Sequence, residues 1–80
     1  MRATVLVRPK QGILDPQGEA VGSSLRQLGF PVAEARIGRV VDLELEGDDP
    51  LALRSQLERM CEQLLANPLI EGYEIELPGA

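Results

Sequence analysis

Hydrophobic and acidic residues alternate strictly in the middle of this chain, where residues 41–46 read Val-Asp-Leu-Glu-Leu-Glu. A period of two puts neighbouring side chains on opposite faces of a strand, so this stretch predicts a half-buried β-strand with an acidic outer face. Residues 3–9 follow the same period, with Val5 and Val7 facing one way, and Pro9 ends the strand because it lacks a backbone N–H. A last strand is predicted over residues 73–77.

Two other stretches have helical spacing, and each begins at an Asp-Pro pair. An Asp carboxylate accepts hydrogen bonds from the free amides of the first turn, and proline is favoured at the next position. Helices are therefore predicted to begin at Pro16, after Asp15, and at Pro50, after Asp49. We expect the first to end at Gly29 and the second at about Asn67, just before Pro68.

The apolar residues of these helices predict which side of each faces the core. The first helix has Ala20 or Val21, then Leu25 and Leu28; the second has Leu53, Leu57, Met60 or Cys61, and Leu64, with Leu65 at the edge. Gly18 and Gly22 weaken the first helix by about 1 kcal/mol each relative to alanine. We therefore expect close backbone packing, or another contact, at these two glycines.

Residues 32–36 predict a further strand that pairs with residues 41–46 in a hairpin around Gly38. A two-residue loop at Gly38-Arg39 would place Glu34 and Arg36 on the core side. A three-residue loop over residues 37–39, with Gly38 at positive φ, avoids this and is the interpretation we favour. In that register Ala33 pairs with Leu43 and Ala35 pairs with Val41.

The predicted order is β-α-β-β-α-β, which gives an α+β domain over residues 1–80. We expect the ferredoxin-like arrangement, a four-stranded antiparallel sheet of strand order 4-1-3-2 with both helices on one face. Arg2 and Arg8 then lie among acidic residues on the face without helices. Two alternatives follow: either another copy or subunit covers that face, or the face is solvated and holds cross-strand ion pairs. The sequence pattern of this face favours association with another copy or subunit.

Size and charge narrow the possible partners. A chain of 80 residues buries only about 60% of the surface it exposes when unfolded, so a partner is expected. The net charge is −5, and Phe30 and Tyr73 are the only aromatic residues, which does not suit a nucleic-acid surface. We find no stretch typical of a membrane span or a signal peptide and expect a cytoplasmic protein without membrane partners.

The sequence offers little catalytic chemistry. It contains no histidine, which excludes the usual general base and every Ser/His or Cys/His dyad. Cys61, the only cysteine, falls on the core side of a helix. Asp15 and Asp49 are better explained as helix caps than as an acid-base pair, and the acidic strands as ion-paired rather than Mg²⁺-binding. We predict no catalytic residue, no metal site and no cofactor in this chain.

Three segments together resemble the PurS family, the small subunit of multi-subunit phosphoribosylformylglycinamidine synthase. They are Ile13-Leu14-Asp15-Pro16-Gln17-Gly18, Arg36-Ile37-Gly38-Arg39 and Leu64-Leu65-Ala66-Asn67-Pro68-Leu69-Ile70-Glu71-Gly72-Tyr73-Glu74. The sequence departs from the family pattern only slightly, at Arg39, Leu69 and Gly72.

The resemblance implies a non-catalytic subunit that assembles a large ATP-using synthetase subunit and a glutaminase subunit in purine biosynthesis, with ATP and Mg²⁺ bound by the synthetase. It also implies a homodimer or homotetramer. We expect the partner-binding residues to be Asp15, Pro16, Gln17, Gly18, Arg36, Gly38 and Arg39. The alternative is a stand-alone regulatory module of ferredoxin-like fold that binds a small anionic ligand between subunits, with the loop at residues 8–12 as its site.

Overall fold

The computed structural model describes residues 1–78, which form three strands and two helices. In chain order these elements are β1 (Arg2–Pro9), α1 (Pro16–Gln27), β2 (Arg39–Glu44), α2 (Pro50–Met60) and β3 (Glu71–Glu76), and a π-helical turn, Cys61–Leu65, continues α2. The predicted α+β class, with two helices and an antiparallel sheet, is confirmed. Neither helix in this part of the chain has the length and apolar character needed to cross a membrane.

Strand β1 lies at the centre of the sheet, whose order is β2-β1-β3 with both pairs antiparallel. Val5 pairs with Val41 on one side and with Ile75 on the other. Val5 and Val7 are fully buried, as the period of two predicted. The predicted position of the first strand, between the hairpin's second strand and the last strand, is therefore confirmed.

Helix α2 and the π-helical turn pack on one face of the sheet. Leu53, Leu57 and Cys61 are buried, which confirms the first part of the predicted stripe. The prediction was wrong at Leu64, which is 83% exposed. The π-helical turn has more residues per turn than an α-helix, so the stripe shifts and Leu65 contacts the core instead.

The opposite face of the sheet holds the predicted cross-strand ion pairs. Arg2 Nε lies 3.4 Å from a Glu44 carboxylate oxygen, and Arg8 Nη1 lies 3.1 Å from one of Glu74. These side chains are largely exposed, so each pair contributes at most about 1 kcal/mol.

Helix α1 packs little on the sheet and extends away from it. Its predicted start at Pro16 is confirmed, and Gly29 follows it with a φ of 98°, the left-handed geometry expected beyond a helix end. The predicted core side of α1 is not buried in this chain, because Val21 is 40% and Leu28 is 73% exposed. The helix instead packs against residues 30–37, here called the return segment, which run back along it.

The predicted strand at residues 32–36 and its hairpin with β2 are not formed within the described chain. Gly38 does not have the positive φ that the three-residue loop requires, and a Cβ at this position would overlap the Val7 carbonyl of β1. The chain therefore continues past Gly38 into β2 instead of folding back. We call α1 and the return segment the arm, which gives the molecule its length of 48 Å against 24 and 16 Å.

Candidate partner-binding site

A cleft of about 280 Å³ lies where the arm meets the sheet. It is lined by Pro9 and by residues 13–17, 37–39 and 70–71. Four parts of the chain thus meet here: the end of β1 and the starts of α1, β2 and β3. We call this the junction cleft.

Asp15 joins two of these parts. Its carboxylate caps α1 by accepting a hydrogen bond from the Gly18 amide at 3.1 Å, as predicted. Its other oxygen accepts a hydrogen bond from the Ile37 amide at 2.7 Å, which fixes the end of the return segment to the helix. The Ile37 amide and then the Gly18 amide hold the pKa of Asp15 below its ordinary value, because both bonds favour the charged carboxylate.

Protonating Asp15 should therefore loosen the arm. Its pKa is lower in the folded chain than in the unfolded one, so the stabilisation is complete above the unfolded value of about 3.9 and is lost as the pH falls through the lower, folded value. We expect Asp15→Ala to increase hydrogen exchange at the Ile37 amide by about tenfold or more at neutral pH.

Asp49→Ala is the matched control, because Asp49 also precedes a proline and caps a helix but accepts only from the Leu51 amide within its own turn. It should leave the Ile37 amide unchanged. Equal exchange at Ile37 in wild type and Asp15→Ala would show that Asp15 does not hold the return segment.

Arg39 and Glu71 form the opposite wall of the junction cleft. The guanidinium donates two hydrogen bonds to the carboxylate, at 2.7 and 3.0 Å, and a third to the Leu65 carbonyl at 2.6 Å. Glu71 also accepts from the Asn67 amide at 2.7 Å. The bidentate pair links the start of β2 to the start of β3. Arg39, followed by the Asn67 amide, lowers the pKa of Glu71, and Glu71 raises the pKa of Arg39.

The structure brings most of the predicted site residues together but not all of them. Those that line the junction cleft are Asp15, Pro16, Gln17, Gly38 and Arg39. Gly18 is buried beneath the cleft, against the return segment. Arg36 borders a separate hollow of about 260 Å³ beside Arg8 and Lys10.

The loop proposed for a small anion offers few free cations. The Lys10 ammonium donates to the Pro68 carbonyl at 2.6 Å, and Arg8 is paired with Glu74. The Asp15 carboxylate already occupies the nearby helix N-terminus. These contacts do not favour the regulatory-module alternative.

Sequence reasoning missed Glu71 and Ile37 as members of this site. Glu71 lies in the third segment of the resemblance but was not selected, since its partner Arg39 is 32 residues away in sequence. Ile37 contributes through its backbone amide, which no sequence pattern reveals. The only indication in the sequence was that Arg39 and Glu71, which carry opposite charges, each lie in a segment that resembles the PurS family.

Comparison with known proteins identifies the family. The model of the family described as PurS, phosphoribosylformylglycinamidine (FGAM) synthase, matches residues 2–79. The chain belongs to the PurS family. It is 47% identical over 77 residues to the phosphoribosylformylglycinamidine synthase subunit PurS of Synechocystis, covering 95% of this chain and 75% of that protein. The resemblance inferred from the three segments is confirmed.

Solved structures agree with this assignment to the PurS family. The chain is similar to Bacillus subtilis PurS, with 39% identity, a TM-score of 0.83 and 94% of each chain covered. It is also similar to a chain in the structure of PurLQS from Thermotoga maritima, with 32% identity and a TM-score of 0.85 over 94% of this chain and 93% of that one.

Proposed function

We propose that this chain is the small subunit of a multi-subunit phosphoribosylformylglycinamidine synthase in de novo purine biosynthesis. In this role it holds a large synthetase subunit and a glutaminase subunit together and supplies no catalytic group of its own. The observation that carries the proposal is the likeness, over nearly the whole of both chains, to a chain of the Thermotoga maritima PurLQS structure. The lack of histidine agrees with a non-catalytic role.

The reaction's cofactors belong to the partners in this proposal. ATP and Mg²⁺ bind to the synthetase subunit, and ammonia comes from glutamine at the glutaminase subunit. The chain itself holds no cofactor, and the complex works in the cytoplasm. The contribution of this chain is to position the two larger subunits.

The junction cleft is the part of the chain that meets a larger subunit. It combines an ordered polar wall, formed by Arg39 and Glu71, with the exposed apolar side chains of Ile13 and Leu14. Leu14 is 70% exposed. An apolar patch within a polar rim is typical of protein interfaces. Five of the predicted partner residues line the cleft, Gly18 is buried against the return segment and Arg36 borders a separate hollow; the five are Asp15, Pro16, Gln17, Gly38 and Arg39.

Reconstitution tests the proposal. The purified chain is mixed with the synthetase and glutaminase subunits of the same organism, with substrate, ATP, Mg²⁺ and glutamine, and product formation and co-elution are measured. We expect glutamine-dependent synthesis to require this chain. Full glutamine-dependent activity without it, or synthesis by this chain alone, would overturn the proposal.

Charge reversal within the same assay tests the surface. Arg36 makes no ion pair among residues 1–78, so Arg36→Glu should leave the chain folded and weaken co-elution with the larger subunits by about tenfold. Reversing Arg39 alone would bring two carboxylates together, so Arg39→Glu is combined with Glu71→Arg, which keeps opposite charges across the pair but loses the bonds to the Leu65 carbonyl and from the Asn67 amide.

Arg59→Glu is the matched control for charge reversal, because Arg59 lies in α2 and outside the junction cleft. It should assemble like wild type. If Arg36→Glu and the Arg39/Glu71 exchange also assemble like wild type, this surface is not the contact.

The chain also acts as a homodimer or homotetramer in this proposal. Two observations support it: the apolar side of α1 is exposed at Val21 and Leu28, and among residues 1–78 β2 has a neighbouring strand only on its β1 side. A second copy covers these surfaces and completes the four-stranded, ferredoxin-like sheet. Light scattering of the purified chain tests the oligomeric state.

A further inference from the structure

A hollow of about 260 Å³ lies at one end of the sheet face without helices, where β1 ends and β3 begins. The strand register creates it, because Arg8 of β1 is paired with Gly72 of β3, which has no side chain to place beside it. A Cβ at Gly72 would meet no atom within 4 Å, so the space is open. We call this the basic hollow, and the charged residues that line it are Arg8, Lys10, Arg36 and Glu74.

Positive charge exceeds negative charge in the basic hollow. Glu74 is the only carboxylate among its lining residues, and it lies 3.1 Å from Arg8, with which it is paired. The Lys10 ammonium donates a hydrogen bond to the Pro68 carbonyl, which is neutral. Among residues 1–78, neither Lys10 nor Arg36 makes an ion pair. Two cations therefore lack a counter-charge here, in a chain whose net charge is −5.

The Asp15 carboxylate does not serve as the counter-ion of Arg36. Its two oxygens accept hydrogen bonds from the Gly18 and Ile37 amides. The pKa of Asp15 is lowered most by these bonds, first by that from Ile37, and least by the charge of Arg36. The Arg36 side chain is exposed and remains available to a partner.

Apolar side chains lie next to the unpaired cations. Leu6 lines the basic hollow, and its cross-strand neighbour Val40 is 60% exposed. These two residues and Arg36 also line an adjoining hollow of about 220 Å³. Exposed apolar groups beside charged ones are typical of a protein interface.

The two hollows continue into the junction cleft. Pro9 lines both the basic hollow and the junction cleft, and Gly38 and Arg39 line both the junction cleft and the adjoining hollow. A protein surface that covers the junction cleft therefore also reaches the cations of the basic hollow. The same partner can contact both.

The distribution of charge selects the chemistry of that partner. The rest of this sheet face carries Asp42, Glu44 and Glu76, which repel a long polyanion such as a nucleic acid or an anionic membrane. Exposed cations hold a small free anion weakly, because water and salt screen their charge. A carboxylate that belongs to an already docked protein is held close to the cations by the rest of the interface.

We propose that the basic hollow receives an acidic segment of the larger subunit that covers the junction cleft. One carboxylate of this segment pairs with Arg36 and a second with Lys10, and its apolar side chains contact Leu6 and Val40. The inference rests on the proposed function, since its partner is a subunit of that complex. It adds the chemistry of the contact, which makes assembly sensitive to salt.

A carboxylate placed at residue 72 tests the proposal without removing a cation. Gly72→Glu puts an acidic side chain opposite Arg8 and beside Lys10, where it competes with the partner's carboxylates. Gly72→Gln is the matched control, because it fills the same space without the charge. Both variants should fold, since a Cβ at Gly72 meets open space.

Titration calorimetry with the purified synthetase and glutaminase subunits measures the effect. We expect Gly72→Glu to bind about tenfold more weakly than Gly72→Gln at about 0.05 M salt. The difference should shrink to about twofold or less at about 0.5 M salt, where screening is stronger.

Removing one unpaired charge provides a second test. Lys10→Gln loses the positive charge, but its side-chain amide can still donate to the Pro68 carbonyl. Arg59→Gln is the control, because Arg59 lies in α2 and outside the basic hollow. We expect about threefold weaker binding at low salt for Lys10→Gln and no change for Arg59→Gln.

The outcomes separate this proposal from the subunit role. Equal binding by Gly72→Glu and Gly72→Gln, or a difference that salt does not reduce, would overturn the acidic contact. Glutamine-dependent synthesis with the wild-type chain would then still support the proposed function. A wild-type chain that binds neither larger subunit would overturn both. Saturable binding of inorganic phosphate to the free chain, with shifts in the amide signals of residues 8–10 and 72–74, would assign the hollow to a small anion instead.

Discussion

Replacing Leu57 with alanine should lower the free energy of unfolding by about 2–5 kcal/mol, because a buried leucine loses both its transfer free energy and its packing contacts. Leu57 is 0% exposed and packs against buried residues of β1. Small domains have a total stability of only about 5–15 kcal/mol. The variant should therefore be largely unfolded at moderate urea concentrations. Urea denaturation measures the change as a lower midpoint concentration with an unchanged m-value.

Leu64→Ala is the informative control, since helical periodicity placed Leu64 on the core side and the structure leaves it 83% exposed. It should change the free energy of unfolding by less than about 0.5 kcal/mol. A cost equal to that of Leu57→Ala would mean that the π-helical turn does not shift the stripe in solution, and that α2 continues as a regular helix.

Gly18→Ala should destabilise the chain, although alanine is normally the better helix residue by up to about 1 kcal/mol. The added Cβ would overlap the Ala35 carbonyl and the Asp15 carboxylate, and both are fixed in place. Either the return segment moves away from α1 or the helix start shifts. We expect a net loss of about 1–3 kcal/mol, measured by thermal unfolding, with weaker self-association in the same samples.

Gly22→Ala is the matched control within the same helix. A Cβ there would lie 3.3 Å from the flexible end of Arg26 and 3.6 Å from the Ala35 Cβ, so it meets no fixed backbone atom at close range. Gly22→Ala should be neutral or gain up to about 1 kcal/mol. If Gly18→Ala behaved in the same way, the close packing of the arm would be wrong.

These predictions bear on the proposed function, in which this end of the chain meets a larger subunit. The arm extends along the long axis of the molecule, and contacts at Asp15 and Gly18 hold its helix and its return segment together. In that proposal, such contacts order the surface before binding, which reduces the entropy lost on assembly. A subunit without catalytic groups can act by holding larger subunits in a fixed geometry.

The sequence by itself determined the elements with clear local signals. The alternation around Val5 and in residues 41–46 predicted the strands, and the Asp-Pro pairs predicted both helix starts. The resemblance segments identified the PurS family. Each of these signals depends on residues close together in the chain, where side-chain period and capping chemistry act directly.

Only the tertiary structure decided how these elements associate. The local pattern predicted a strand at residues 32–36 but could not tell whether the chain turns back at Gly38 or runs straight. That choice depends on the contact of Gly38 with Val7 in β1, which is distant in sequence. The pairing of Arg39 with Glu71 likewise joins parts that are distant in sequence. The π-helical turn shifts the phase of the helix, which changes the side chains that face the core. The free energy that selects among these arrangements comes from non-local contacts, which a one-dimensional pattern does not contain.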